Sequence, residues 1–482
     1  MGVVKRGKTL NLKGNGNTER SSAFCDVERL DSLSPDELIQ IILDQQRLIE
    51  QLRAEIEQLK RRGSASPFSK GTHKPNPKRA GRKPRQGSFR RRTEPKSAAE
   101  QQPVEAPVDA DCCPECGGSL GECWEEIVST TDIPPQPQPE VRKYAIQVRT
   151  CQRCGKSVRG QHPDVAEGQQ GATAHRLGPR VKAIAHLLHY GHGVPVRKVP
   201  AIIGELTGVQ LTQGAITQDA MKQSAQSVGA HYEQLRGSVR EQPAVHTDDT
   251  GWRVGGDTAF LMAFVNPRLS VYQIRRQHRN EEVRELIPAN FAGVMICDRG
   301  KSYDAEELNE IEQQKCLAHL IRNAVEIAEA KTGRARQFSQ KLKELLKQAL
   351  TLPEKRTELE LELYQQQVTE LDQRITHHLR NRIFRDDDNQ RLLNGVGTQH
   401  DRGHILRFLH QPGIEPTNNR AERDLRPAVI SRKVSQCSKN QRGAHAFEVF
   451  TSVLETIRKT TPSEIARALV QVMAGQPTIA SP

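Results

Sequence analysis

Between Lys60 and Thr93 the chain carries 13 Lys or Arg and no Asp or Glu. Gly, Ser and Pro recur through the segment, and like charges that repel with little apolar surface to bury cannot offset the entropy of folding. Whatever folds must therefore fold on either side of it. Removing those 13 from the 71 Lys+Arg leaves 58, equal to the 58 Asp+Glu of the 482-residue chain. The remainder is neutral overall, which excludes a uniformly basic, histone-like protein. A cationic arm of this kind neutralises phosphates and releases counterions, giving salt-sensitive, sequence-independent affinity for nucleic acid. Arg82, Lys83 and Arg85, in Gly81-Arg82-Lys83-Pro84-Arg85, are its candidate contacts. The alternative is a solvated linker.

Immediately before the arm, apolar residues step by four and three. Ile42, Ile49 and Ile56 fall at heptad position a, and Leu38, Gln45, Leu52 and Leu59 at d, the choice that favours two parallel strands. Ser34 and Glu37 form a capping box, with Pro35 in the first turn. The alternative to a dimerising coiled coil is an amphipathic helix packed on its own protein.

After a Pro/Ala/Glu/Gln-rich linker come two Cys-x-x-Cys pairs, Cys113/Cys116 and Cys151/Cys154, each followed by Gly. Four thiolates suit tetrahedral Zn²⁺ in a closed, structural site. Tyr144, Ile146 and Val148 alternate between the pairs as a strand would, so the unit reads as a zinc ribbon. The long gap leaves room for another pairing, and redox or buried thiols are the alternatives. A helical stretch from about Leu177 to Ser238 follows. In it Val196 to Leu206, the turn Thr207-Gly208 and a helix from Gln213 capped by Thr212 suggest a helix-turn-helix, or an ordinary helical hairpin.

From residue 243 the pattern alternates. Pro243 to Thr250 reads as a strand ending in Asp248 and Asp249. Ala259 to Val265 and Leu269 to Ile274 are two more strands, Glu281 to Leu286 a helix, and Gly293 to Asp298 a buried strand again ending in Asp. This order predicts an α/β layer. Two strands ending in Asp can set both carboxylates at one sheet edge, where hard oxygen ligands suit Mg²⁺ or Mn²⁺. Glu415 to Pro427 reads as a short helix capped by Thr417 or Asn418 and limited by Pro427, with Glu422 and Arg426 one turn apart and Arg432 and Lys433 beyond.

Several of these segments, taken in order, carry a resemblance. They are His246-Thr-Asp248-Asp249-Thr250-Gly-Trp, Cys297-Asp298-Arg-Gly-Lys-Ser-Tyr303, Cys316-Leu-Ala-His319-Leu-Ile-Arg322, Asn418-Asn-Arg-Ala-Glu422-Arg-Asp-Leu-Arg426-Pro and Ser431-Arg432-Lys433. The series resembles the insertion-sequence-66 family of transposases over most of the chain. Asp249 stands where that family often has Glu, and Leu317 where Trp is common.

The resemblance implies an RNase H-like fold in which Asp248, Asp298 and Glu422 bind two divalent cations, and metal-dependent cleavage and strand transfer at DNA ends. Cys316 and His319 match its Cys-x-x-His as supporting residues. Arg423, Arg426, Arg432 and Lys433 are expected to bind the DNA backbone. The partners expected are element ends and target DNA, with a homodimer or higher oligomer and room for accessory proteins of the same element. A non-catalytic zinc-ribbon and coiled-coil regulator, and a nuclease or resolvase on the same core, are the alternatives.

The expected organisation is a disordered start over 1–34, coiled coil over 35–62, basic arm and linker over 63–110 and zinc ribbon over 111–165. A helical DNA-binding region over 170–240 precedes the catalytic core, whose two parts, 243–330 and 406–470, flank a helical insertion over 331–405, with a tail over 471–482. No apolar run approaches the roughly 18 residues of a membrane helix. Met1 to Asn11 lacks the apolar core of a secretory signal, and ten Cys in so long a chain do not make a disulfide framework. A cytoplasmic, nucleoid-associated location is expected.

Overall fold

The computed structural model describes residues 34–61, 107–122, 139–162, 165 and 177–476. The basic segment with Arg82, Lys83 and Arg85 lies outside them. The chain divides into two units, Met1–Thr130 and Thr131–Pro482. In the first, helix α1 (Pro35–Arg61) starts on a capping box, with Ser34 N–H donating to Glu37 Oε2 at 2.8 Å and Glu37 N–H to Ser34 Oγ at 3.4 Å. Ile42, Ile49 and Leu52 are each about half exposed in the single chain, so this apolar face is left uncovered.

The second unit opens with a short hairpin, β1 (Val148–Thr150) and β2 (Ser157–Arg159), antiparallel around Cys151 and Cys154. The strand expected from Tyr144 begins only at Val148. A ladder extends only as far as its partner, and beyond it one further bond remains, from Gly160 N–H to the Gln147 carbonyl at 2.9 Å. Helices α2 (Pro179–His186, continued by a π turn over Leu187–Gly191), α3 (Val199–Thr207), α4 (Gln213–Ser224) and α5 (Ser227–Val239) follow. Gly208 ends α3 at φ +71°, which glycine adopts without steric cost. Thr212 caps α4, its hydroxyl accepting from Ala215 N–H at 3.2 Å.

The central layer is a five-stranded sheet in the order β5-β4-β3-β6-β7. Its strands are β3 (Ala244–Val254), β4 (Asp257–Val265), β5 (Ser270–Arg275), β6 (Val294–Cys297) and β7 (Gln313–Lys315), with the short helix α6 (Asn280–Arg284) before β6. The β3–β4 and β4–β5 pairs are antiparallel, and β3–β6 and β6–β7 parallel. Period-two alternation gives the sheet two faces. Val245, Met262, Phe264 and Met295 point into one core, and Trp252, Leu261, Ala263 and Val265 into the other.

Four helices form a bundle after β7: α7 (Leu317–Ala330), α8 (Gly333–Thr351), α9 (Leu361–Leu379) and α10 (Asp387–Asp401), followed by the short α11 (Arg407–His410). They share a hydrophobic core of their own, with Leu342, Leu346, Val368, Ile375 and Val396 at its centre. The chain then returns to the sheet as α12 (Asn419–Ser435), α13 (Gln441–Thr460) and α14 (Ile465–Met473). Ala421, Leu425 and Ala428 of α12 pack with Trp252 and Leu261 on the second sheet face, whereas Val449, Phe450 and Val453 of α13 enter the first core.

Helix α12 runs through Pro427, so that residue does not limit its length as expected. Proline costs roughly 3 kcal/mol in a helix interior. The buried residues Ala421, Leu425, Ala428 and Ser431 lie on both sides of it, and packing them on the sheet offsets the lost hydrogen bond. Strand β5 is an edge, and α13 covers it with a polar ladder. Ser270, Tyr272 and Ile274 N–H groups donate to Thr456 Oγ1 at 3.1 Å, Ser452 Oγ at 2.8 Å and Glu448 Oε2 at 2.7 Å. Residues two apart on a strand and four apart on a helix advance by similar distances, so three side chains on successive helical turns satisfy the edge. No helix among the described residues is long and apolar enough to cross a membrane.

Candidate active site

Asp248 lies in the middle of β3, not at its end as expected, because the antiparallel β4 stays paired to Val254. What ends near Asp248 is the other pairing. The β3–β6 register sets Ala244 against Val294 and His246 against Ile296, and two residues beyond that last pair stand Asp248 and Asp298. The spacing of fifty between the acids is thus the register of two adjacent parallel strands. Asp248 is on the same face of β3 as Trp252, the face that α12 covers with Glu422 on its first turn.

The acids act on one another. Burial first, then the charges of Asp298, Asp249 and Glu422, push the Asp248 carboxyl up to about 7, against the hydrogen bond it accepts from Asp249 N–H at 3.0 Å. Asp298 Oδ1 accepts from Gly300 N–H at 2.8 Å. A Cβ at residue 300 would stand 3.0 Å from that oxygen and 3.1 Å from the Tyr303 ring, so any larger residue there would push on the Asp298 carboxylate or the ring. Asp249 is engaged elsewhere, with His278 Nδ1 at 2.9 Å.

Asn418, expected only as a helix cap, ties the acids together. It is fully buried at the start of α12 and makes no side-chain cap. Instead its Nδ2 donates to the Thr247 carbonyl, next to Asp248, at 2.8 Å, and its backbone N–H donates to Cys316 Sγ at 3.1 Å. Its own carbonyl accepts from Glu422 N–H at 3.2 Å. Cys316, in turn, caps α7, and its N–H donates to the Cys297 carbonyl at 2.8 Å, beside Asp298. His319 Nε2 lies 3.5 Å from Glu422 Oε1. A hydrogen bond with Cys316 holds the His319 imidazole above its ordinary pKa, with the Glu422 charge adding to it. Two peptide-level tethers and one imidazole therefore fix the third acid relative to the first two.

Arg432 donates to Thr250 Oγ1 at 3.2 Å and to the Gly251 carbonyl, so its guanidinium is spent on β3. Arg423 and Arg426 are exposed on the outward side of α12, as is Lys433.

Among the described residues no three His, Cys, Asp or Glu side chains converge closely enough to hold an ion as they stand. The donor chemistry of the acids nonetheless fits a divalent cation. They are hard oxygen ligands, and a carboxyl raised by burial and then by neighbouring carboxylates is the condition that a cation relieves. Each Cys pair is likewise folded as a knuckle. Gly117 and Gly155 adopt φ of +72° and +71°, and Cys113 and Cys151 N–H groups donate to the Gly118 and Lys156 carbonyls at 2.9 and 2.8 Å. Backbone N–H groups of Glu115 and Cys116 hold the Cys113 thiol below its usual pKa, and those of Cys154 and Arg153 do so for Cys151, as suits a metal thiolate.

A mixed five-stranded sheet flanked by helices, with carboxylates on adjoining parallel strands, defines the second unit as an α/β catalytic domain. Residues 175–446 match the family described as Transposase IS66 family, and the chain belongs to that family. Its general activity is therefore transposition and its partner DNA. No curated protein matches the chain.

Proposed function

We propose that this chain is a DDE transposase with an RNase H-like core, which cuts DNA at the ends of its element and joins them to a target. The observation that carries the reading is the shared register of Asp248 and Asp298 beneath the helix that bears Glu422. The strand order, in which β4 alone runs antiparallel to the other four strands, supports the RNase H-like assignment.

Asp248, Asp298 and Glu422 would hold Mg²⁺ or Mn²⁺. The metal supplies Lewis acidity that makes water, and then a 3′ hydroxyl, nucleophilic near neutral pH. Asn418 fixes the spacing of the helix start from β3, while Cys316 and His319 orient the Glu422 carboxylate. Arg423, Arg426 and Lys433 bind backbone phosphates beside the acids, positioning the strand without reading its sequence. Arg432 works indirectly, by anchoring α12 to β3.

In the rest of the chain, α1 pairs with a second copy as a parallel coiled coil. The pairs Cys113/Cys116 and Cys151/Cys154 would supply thiolates to structural Zn²⁺, and α3 and α4 form a helix-turn-helix. The basic segment with Arg82, Lys83 and Arg85 holds DNA non-specifically in the nucleoid.

The test is incubation of the purified protein with its own element ends and Mg²⁺. Cleaved ends and strand-transfer products are expected, and Asp248→Asn should remove both while leaving end binding intact. Cleavage by that variant would sink the assignment, and binding without any cleavage by the wild type would favour a regulator.

A further inference from the structure

Outside its basic arm the protein has no net charge, so further electrostatic contacts with DNA require local segregation of charge. The helical insertion segregates it twice. Residues 331–343 hold Lys331, Arg334, Arg336, Lys341 and Lys343 with no acid, and residues 373–385 hold Arg374, Arg380, Arg382 and Arg385 with no acid. The first stretch opens α8, and the second closes α9 and leads into α10. The bundle lays them together. The Phe338 ring stacks on His378 with centroids 4.8 Å apart and meets Phe384 at 4.6 Å, and His378 Nε2 lies 3.0 Å from the Phe338 carbonyl oxygen.

Over this seam lies an open cleft of about 690 Å³. Four of its lining residues are the cations Arg334, Lys341, Arg374 and Arg382, against the single acid Glu370. The basic residues held in close ion pairs, Lys331 with Asp386 and Asp388 and Arg380 with Asp401, are not among those lining the cleft. Arg334, Arg374 and Arg382 make no ion pair or hydrogen bond among the described residues, and Lys341 reaches only Glu344, at 3.9 Å. The positive field is felt below the surface as well. Burial, followed by the charges of Arg382, Lys341 and His377, holds the His378 imidazole below its ordinary pKa, against its bond to Phe338.

Two occupants suit such a surface, an acidic protein or a nucleic acid. Protein interfaces draw their affinity from aromatic or aliphatic anchors seated in open apolar pockets. Here the apolar floor is already closed, with Phe338 and Leu345 at 3% and 1% exposure. What remains available is charge, with the amides of Gln337 and Gln373 between the cations. That is the equipment for gripping a phosphate backbone, which needs donors and cations but no pocket for a side chain.

We propose that the α8–α9 cleft binds the backbone of duplex DNA, giving the transposase a further DNA-binding surface on its insertion, separate from the carboxylates, the α12 cations and the basic arm. The proposal rests on DNA being the partner and is independent of which acids carry the chemistry.

The test uses the full chain without added Mg²⁺ or Mn²⁺ and without chelator, so that cutting is not supported and any structural zinc stays in place, with a short duplex as probe and binding followed by fluorescence anisotropy across a salt series. The comparison is wild type against the combined Arg334→Gln, Lys341→Gln, Arg374→Gln and Arg382→Gln variant, with deletion of 60–93 in parallel. Every phosphate that is no longer neutralised lowers the slope of log K against log salt by about 0.9, so the combined variant should flatten it by roughly 2 to 4. Glu370→Gln removes the one opposing charge and should tighten binding several-fold, an opposite effect that misfolding cannot mimic.

An unchanged slope in the combined variant, with only the arm deletion having an effect, would overturn the cleft and leave the transposase reading standing. If the variant lost affinity for polyglutamate but not for the duplex, the occupant would be an acidic protein and the proposal would fail. Absence of salt-dependent binding by the wild type would overturn the DNA reading itself, and the cleft with it.

Discussion

Asn418 has a short polar side chain in a fully buried position, and its cost is offset in part because Nδ2 donates to the Thr247 carbonyl, while Oδ1 has no hydrogen-bond partner among the described residues. Asn418→Ala would leave that carbonyl without its buried donor, costing about 1–3 kcal/mol. It should also lower cleavage more than end binding, since Glu422 would lose its fixed distance from Asp248. Urea melts and paired binding and cleavage assays check both effects. His404 offers a separate test through pH. It is 3% exposed, with Nδ1 2.9 Å from Gln399 Oε1. Burial, and then the charges of Lys315, Arg407 and Arg402, push its pKa down to about 4. Between the ordinary value of 6.5 and that value the unfolded chain binds a proton that the folded chain refuses, so stability is complete above this window and falls as pH drops through it. The loss should approach about 3 kcal/mol by pH 4. His404→Gln should flatten the pH dependence of the unfolding free energy over that interval, and an unaltered slope would mean the imidazole is not held neutral.

Element scale is where local pattern and final structure part most clearly. Alternation or a continuous apolar run marks β3, β4, β5 and β6 in the sequence, but β7 reads Gln313-Gln314-Lys315 and gives no strand signal. All three residues are nevertheless buried. Gln314 Nε2 donates to the Ile405 carbonyl at 2.9 Å, Gln313 Nε2 to the Tyr303 carbonyl at 2.9 Å, and Lys315 Nζ reaches Asp304 at 2.7 Å. Ile405 is far from β7 along the chain, beyond the whole helical bundle, and no window of the sequence contains both. The ladder from α13 to β5 is similar in kind, for Glu448, Ser452 and Thr456 look like the polar positions of a surface helix until the edge strand is placed beside them. Ser452→Ala removes the acceptor of the buried Tyr272 N–H and should cost about 1–3 kcal/mol, as should Thr456→Val at Ser270. Chemical denaturation would measure it, with faster hydrogen exchange at the β5 amides as the local sign.

For the molecule as a whole, the basic segment sets the long-range electrostatics. Deleting residues 60–93 removes all 13 surplus charges and should flatten the salt dependence of DNA binding while leaving the carboxylate site able to cut. An unchanged slope would place the dominant phosphate-binding groups elsewhere. By itself the sequence determined what depends on neighbours along the chain: the charge-segregated arm, the capping box at Ser34, the Cys knuckles with their positive-φ glycines, and the strand pattern that leaves Asp298 just past the end of β6. Each follows from local sterics, periodicity or composition. Tertiary structure decided the rest. It continued α12 past Pro427, because packing on the sheet outweighs one helix hydrogen bond. It made Asn418 a tie between distant strands rather than a cap, and buried Lys315 beside an acid. It also brought residues 331–343 and 373–385 to one cleft, a neighbourhood set by how helices pack and not by the order of residues in the chain.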